Sequence, residues 1–215
     1  DGCTPLFVAC KQGHAKVVSL LLDKASGSIA VNRASGGTPL YVACQNGHVD
    51  VVSLLLDKCQ DTIDINQRME DGSATPLWIA CQEGHADIVS LLLDELLLGK
   101  ARENFDINQT GNTSGRTPLY IACQEGHGGV VSVLLEKASH TIDVNKARTP
   151  SGGTPLYIAC QQNHTEVVFM LLDKAWETVD VNLPEKGCGC TPLYVACQQG
   201  HAKVVSLLLD KASGS

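Results

Sequence analysis

The fold of this chain is decided by the stretch Gly36-Gly37-Thr38-Pro39-Leu40-Tyr41-Val42-Ala43-Cys44-Gln45-Asn46-Gly47-His48-Val49-Asp50-Val51-Val52-Ser53-Leu54-Leu55-Leu56. Thr38 has the chemistry of a helix cap: its hydroxyl accepts from the free backbone N–H groups of the first turn. Pro39 follows at the first helical position, where a missing N–H costs nothing. Leu40, Ala43 and Cys44 form the inner face of this short helix, small where another helix must approach closely. Gly47 ends it in the left-handed conformation that glycine adopts without strain. A second helix begins at once and ends in a leucine run. In the first copy of the pattern it spans Ala15 to about Lys24 and is apolar at 17, 18, 20, 21 and 22. That stripe is too wide for a helix with one buried side. It suits a helix packed on its own partner and on neighbours to either side.

Outward from this stretch, Thr-Pro-Leu-aromatic-Val/Ile-Ala-Cys begins at Thr4, Thr38, Thr75, Thr117, Thr154 and Thr191, at intervals of 34, 37, 42, 37 and 37 residues. Each copy leads to Gly-His (Asn163-His164 in the fifth), Val/Ile-Val and a Leu-rich run, and five of the six reach a following Asp-Val/Ile-Asn or its remnant. A period of this length marks a repeat array. The expected fold is all-α: six antiparallel helix pairs joined by extended hairpin tips, with no sheet beyond pairing at the tips. We expect one domain over 1–215 with a continuous elongated core, its repeats at roughly 1–35, 36–71, 72–114, 115–151, 152–188 and 189–215. Nearest-neighbour stacking carries the stability of such arrays.

From end to end the chain resembles ankyrin repeats, whose pattern is Gly-x-Thr-Pro-Leu-His-x-Ala-Ala-x-x-Gly-His-x-x-Val-Val-x-Leu-Leu-Leu, then a turn and Asp-Val-Asn. Three departures stand out. The family's His after Thr-Pro-Leu is aromatic here, as Phe7, Tyr41, Trp78, Tyr120, Tyr157 and Tyr194, rings expected to pack on adjacent loops. The second Ala is Cys, a small hydrophobe. Most units carry three extra residues before Asp-x-Asn, about one helical turn, and the third gains eight, within 94–105. Leu96 and Leu97 in that insertion either pack onto neighbouring helix ends or form an exposed patch marking a second interface.

Composition narrows the function. A net charge of −7 with pI near 5.4 argues against nucleic acid, whose phosphates need a basic footprint. No apolar run reaches the roughly 18–20 residues of a membrane span, so no membrane insertion is expected. The cysteines at one phase, Cys10, Cys44, Cys81, Cys123, Cys160 and Cys197, would be separated by helix-stacking distances of about 8–10 Å. A disulfide needs Cα atoms within about 7 Å. They should therefore form a ladder of free, mostly buried thiols, which points to a reducing, intracellular and cytoplasmic setting. Sequons at Asn108, Asn112 and Asn163 arise easily by chance.

Candidate chemistry reduces largely to the repeat. Cys-x-x-x-His, as in Cys44/His48, has metal-ligand spacing. Its Cys, however, belongs to a buried face, its His lies past the helix end, and the pair recurs at every equivalent. Cys188-Gly189-Cys190 sits in a tip, where two thiols could bind a metal or oxidise; no second ligand pair adjoins them, and Cys3 fills the slot equivalent to Cys190. The Asn of each Asp-x-Asn (Asn66, Asn108, Asn145 and Asn182, with Asn32 lacking the Asp) stands where some ankyrin repeats are hydroxylated, but turn-making is the better reading. No nucleophile elbow, phosphate loop or carboxylate dyad breaks the repeat. No catalytic residue, metal ligand or cofactor is expected.

The resemblance implies a protein-interaction scaffold whose concave surface, built from tips and exposed ends of first helices, binds another protein or peptide. The alternative is a targeting or regulatory array of a larger enzyme, channel or effector whose active domain lies outside this chain. Candidate contacts are Arg33, Gln45, Asn46, Arg68, Trp78, Gln82, Glu83, Arg116, Tyr120, Gln124, Glu125, Arg148, Tyr157, Gln161 and Gln162. Their amides can both donate and accept, which suits a peptide backbone, though surface Gln is also simply a soluble helix former. The five internal tips hold Arg33, Arg68, Arg116, Lys146, Arg148 and Lys186 against Glu70, Asp71 and Glu185, a balance of +3 on an acidic chain. Finally, residues 14–28 recur identically at 201–215, so neither terminal repeat has a polar cap. A fragment of a longer array, or head-to-tail self-association through uncapped ends with Leu208 on the joining face, is the expectation.

Overall fold

The computed structural model describes residues 4–24, 31–32, 36–69, 72, 74–98, 105–111 and 115–213. The chain divides into two compact units, 1–105 and 106–215, each holding three helix pairs. The first unit contains α1 (Pro5–Lys11) and α2 (Ala15–Lys24), α3 (Pro39–Gln45) and α4 (Val49–Lys58), and α5 (Pro76–Glu83) and α6 (Ala86–Leu98). The second contains α7 (Pro118–Glu125) and α8 (Gly128–Lys137), α9 (Pro155–Gln161) and α10 (Thr165–Lys174), and α11 (Pro192–Gln198) and α12 (Ala202–Ser213). No strand occurs among the described residues. Within each unit first helices stack on first helices, as α1 on α3 on α5, and second helices on second helices, as α8 on α10 on α12.

Local chemistry sets the boundaries as the sequence predicts. Each first helix has Thr at its N-cap and Pro at its start; the hydroxyl of Thr117, for example, accepts from Tyr120 N at 3.1 Å. Glycine ends these helices at positive φ, and Asn163 does so in the fifth repeat at φ 60°. Second helices start on His without a side-chain cap in α4, α8 and α10. The histidine ring is used between repeats instead. Nε2 of His48, His85, His164 and His201 donates to the carbonyls of Lys11, Gln45, Gln124 and Gln161, at 2.9–3.3 Å. Those acceptors belong to the last turn of the preceding first helix, where carbonyls lack a helical partner. The same rings cover the terminating glycines: a Cβ on Gly126 would stand 2.6 Å from the His164 ring. Glycine is required there by approach as well as by backbone angle.

The core is a ladder of Leu, Val, Ile, Ala and Cys. Cys10, Cys44, Cys81, Cys123 and Cys160 are buried and free, while Cys197 is free but exposed. Burial pushes the thiols of Cys10 and Cys160 up to about 12, and raises Cys44 and Cys81 as well. The three extra residues per unit do not lengthen most second helices. They form a separate turn after the helix, in which Thr62 N and Ile63 N both donate to Cys59 O and Thr62 Oγ1 donates to the same carbonyl. Residues Ala138–Ile142 and Ala175–Val179 repeat this turn. A β-branched hydroxyl residue that can bond local backbone favours such a turn over helical continuation. Repeat three is the exception: α6 runs 13 residues, with Leu96 fully buried and Leu97 half-buried. The side chain of Leu98 and residues 99–104 lie outside the described residues.

Candidate partner-binding surface

The tips are tight backbone hairpins. In the second unit Gly111 N donates to Arg116 O, Arg148 N to Gly153 O, and Glu185 N to Cys190 O, each at 2.9 Å. Neighbouring tips are tied together where Lys186 N donates to Ser151 O at 2.9 Å. The close approach is visible at Gly152, where a Cβ would lie 2.4 Å from Lys186 Cγ. Before three of the tips, an asparagine side chain bridges to the next repeat. The Asn145 amide donates to Thr178 O at 2.7 Å and accepts from Asp180 N at 2.9 Å; Asn108 makes the same pair with Thr141 and Asp143, and Asn32 with Thr62 and Asp64. Asp64, Asp106, Asp143 and Asp180 in turn each accept from the N–H two residues on. Both polar atoms of the Asn32, Asn108 and Asn145 amides, and one carboxylate oxygen of each of these aspartates, thus have a structural task.

The tips carry charge onto a row of buried rings. Tyr120 is 2% exposed, and its hydroxyl is hydrogen-bonded to Arg148 of the following tip. Burial raises its phenol, and Arg148 and then Arg116 oppose the rise. Tyr157 is buried too, its phenol raised by burial and by Glu185. Arg116 and Arg148 are half-buried, and Arg148 Nε is buried with no hydrogen-bond partner among the described residues. Two half-buried arginines therefore stand near Tyr120, one of them bonded to its hydroxyl. In the first unit Arg68 Nη1 donates to Gly72 O at 2.7 Å, closing its own tip, and Trp78 lies buried at the start of α5.

The amides at the first-helix ends are less free than the sequence suggests. Gln45 and Asn46 are exposed, but Asn46 Nδ2 donates to Val42 O at 2.7 Å. Gln82 and Gln124 are half-buried and donate to the exposed neighbours Glu83 and Glu125, at 3.0 and 2.8 Å. Gln161 is half-buried and Gln162 exposed. Arg33 lies outside the described residues. Trp78, Tyr120 and Tyr157 are placed beneath the surface, where they support it.

A family model for ankyrin repeats, in three copies, matches residues 1–69, 63–148 and 140–215. The chain belongs to the ankyrin-repeat family. No curated protein matches it. Ankyrin repeats are protein–protein interaction modules, and the family is non-catalytic. Nothing described in this ankyrin-repeat chain groups three or more His, Cys, Asp or Glu residues so as to hold a metal ion. Among the described residues no helix is long and apolar enough to cross a membrane.

Three features of these ankyrin repeats escaped the sequence reading. The first is the histidine ladder. The second lies on the outer helices, where Ser19 and Asp23 of α2 together grip Lys58 of α4, with Nζ 3.0 Å from Ser19 Oγ and 2.6 Å from Asp23 Oδ1. Ser132 and Glu136 of α8 hold Lys174 of α10 likewise. A Ser-x-x-x-Asp/Glu in one repeat, with Lys one residue past the acid's equivalent in the next, was the available signal. The third concerns Cys188 and Cys190: of the two options open for them, metal binding or oxidation, they are joined as a disulfide.

Proposed function

We propose that this ankyrin-repeat chain is a non-catalytic binding module that engages an acidic segment of another protein through the face of its tips and first-helix ends. The observation that carries this is the pair of half-buried tip arginines Arg116 and Arg148 near Tyr120, with Arg148 held by a hydrogen bond to the Tyr120 hydroxyl. Guanidinium groups take carboxylates in a fixed geometry, and the hydrogen bond that holds Arg148 to Tyr120 limits the side-chain entropy lost on binding. In the first unit, Arg68 is a tip cation of the same kind. Exposed Gln45, Asn46, Glu83, Glu125 and Gln162 would contribute adaptable polar contacts, with Trp78 and Tyr157 beneath. The charge of −7 places nucleic acid outside this reading, and the buried thiol ladder supports an intracellular, cytoplasmic setting. The contact is the same whether the array acts alone as a scaffold or targets a larger enzyme, channel or effector.

The test is a pull-down with the wild-type chain and with a variant carrying Arg68→Glu, Arg116→Glu and Arg148→Gln, with retained proteins identified by mass spectrometry and titrated individually. Each rim charge is worth about 1 kcal/mol, so affinity should fall at least about tenfold at low salt. The unfolding midpoint should fall modestly, because Arg148 bonds the Tyr120 hydroxyl and Arg68 closes its own hairpin, so affinities are compared at a temperature where circular dichroism shows both chains fully folded. Partners retained equally by both chains at low salt would remove the basic tips from the account.

A further inference from the structure

We infer that the tip of the sixth repeat, Cys188-Gly189-Cys190, is a thiol–disulfide exchange site for small disulfides of the glutathione type. The two sulfurs are bonded to each other in the structure. The surrounding hairpin holds their backbones together by contacts that do not involve sulfur. Glu185 N donates to Cys190 O and Gly189 N to Glu185 O, while Glu185 Oε2 accepts from both Gly187 N and Cys188 N, all at 2.9 Å. Gly189 turns the chain at φ +69°, with nothing within 4 Å of where a Cβ would stand. Reduction therefore leaves two thiols side by side on a loop that remains hairpin-shaped. Pre-positioning of this kind makes the second step of exchange intramolecular and favours ring closure.

Access separates this pair from the rest of the cysteines. Cys188 is exposed and Cys190 half-buried. Cys10, Cys44, Cys59, Cys81, Cys123 and Cys160 are buried; of the described free cysteines, Cys197 is exposed. The reactive species is the thiolate, and burial in apolar surroundings suppresses it. In the forward reaction the Cys188 thiolate attacks one sulfur of the small disulfide, forming a mixed disulfide and releasing one small thiol, which takes a proton. The Cys190 thiolate then attacks Cys188 Sγ and expels the second small thiol. Two protein thiols are oxidised to one disulfide, and one small disulfide is reduced to two thiols. Excess small thiol reverses both steps.

The experiment uses the whole chain, fully reduced and then equilibrated with mixtures of oxidised and reduced glutathione. Free thiols are trapped with N-ethylmaleimide and every cysteine is mapped by mass spectrometry. The expected result is an intramolecular Cys188–Cys190 link without glutathione, at ratios where Cys197, which has no such neighbour, carries a retained glutathione. In Cys190→Ser, Cys188 should keep a glutathione. Circular dichroism of that variant should be unchanged, since the tip packs no core. The inference is overturned if Cys188 and Cys190 stay as thiols where Cys197 is modified. It is equally overturned if each carries its own glutathione, or if either links to a different cysteine.

Discussion

At the scale of single residues, the thiol ladder makes a statement about pH. Burial raises Cys10, Cys44, Cys81 and Cys160 far above an unfolded thiol, which ionises near about 8.5. A raised folded value means that the native state holds its proton more tightly. The stabilisation is complete below the unfolded value and is lost as pH rises past it. Between about pH 8.5 and 10, each such thiol should lower stability by roughly 1 kcal/mol per pH unit. Urea unfolding across that window checks this: the wild-type midpoint should fall, and Cys44→Ala with Cys81→Ala should flatten the decline in the first unit. A midpoint independent of pH would show that these thiols are not held protonated. The carboxylates give the opposite sign. Asp23 and Glu136 are lowered first of all by hydrogen bonds from Lys58 and Lys174, so their contribution is present above the ordinary carboxylate range and lost in acid. Both are solvent-exposed, and exposed pairs of this kind contribute little.

At the scale of elements, α6 shows what an insertion does when it keeps helical chemistry. The Leu91–Leu93 run continues through Asp94 and Glu95 to Leu96, which is fully buried, so the extra turn is an extension of the core. Leu96→Ala should therefore cost about 3 kcal/mol, within the range for leucine cavities. Leu97→Ser, at a half-buried position, should cost clearly less. Denaturant unfolding of both variants measures the difference; equal and negligible losses would return this turn to the role of an exposed interface. The outer helices carry a second lesson. Lys58 and Lys174 are gripped by Ser–acid pairs of the preceding repeat, but the equivalent of Ser132 in α10 is Phe169, and the lysine one period on, Lys211, lies over Trp176 with Nζ 5.0 Å from the ring centroid. An ion pair in two repeats is matched by a cation–π contact in another.

At the scale of the whole molecule, the terminal repeats differ from internal ones by exposure alone. Val8, Val17 and Leu20 of the first repeat are 45–58% exposed, and Tyr194 and Leu209 of the sixth are 54% and 48% exposed. The equivalents Val42, Val51, Tyr157 and Leu172 are buried, and Leu54, the equivalent of Leu20, is half-buried. Such faces are shaped to receive a repeat of their own kind, and we propose that copies of this 215-residue chain associate head to tail through them. The sequence pointed to Leu208 as the joining residue. That choice is corrected, because Leu208 is 4% exposed and supports its own repeat, while Leu209 faces outward. Light scattering should show growth with concentration that Leu209→Glu suppresses without lowering the unfolding midpoint. A wild-type chain that stays monomeric at high concentration would refute the association.

Most of the fold was legible because each repeat writes its own boundaries locally. Thr-Pro opens a helix by satisfying or omitting the amides of its first turn, Gly or Asn163 closes it at positive φ, and the width of the apolar stripe in the second helix demands neighbours on both sides. The candidate surface was legible only in outline. Arg68, Arg116 and Arg148 could be assigned to tips by counting, but not their contacts: Arg68 closing its own hairpin, Arg148 hydrogen-bonded to the Tyr120 hydroxyl. By itself the sequence determined the all-α repeat, its phase and its helix caps. Only tertiary structure decided which of the equivalent residues are core. Cys160 and Cys197, or Tyr157 and Tyr194, hold the same place in the same motif, yet one of each pair is buried and the other exposed. In a stack, burial is conferred by the next repeat and not by the residue, so identical chemistry yields a core position or a surface according to what lies against it.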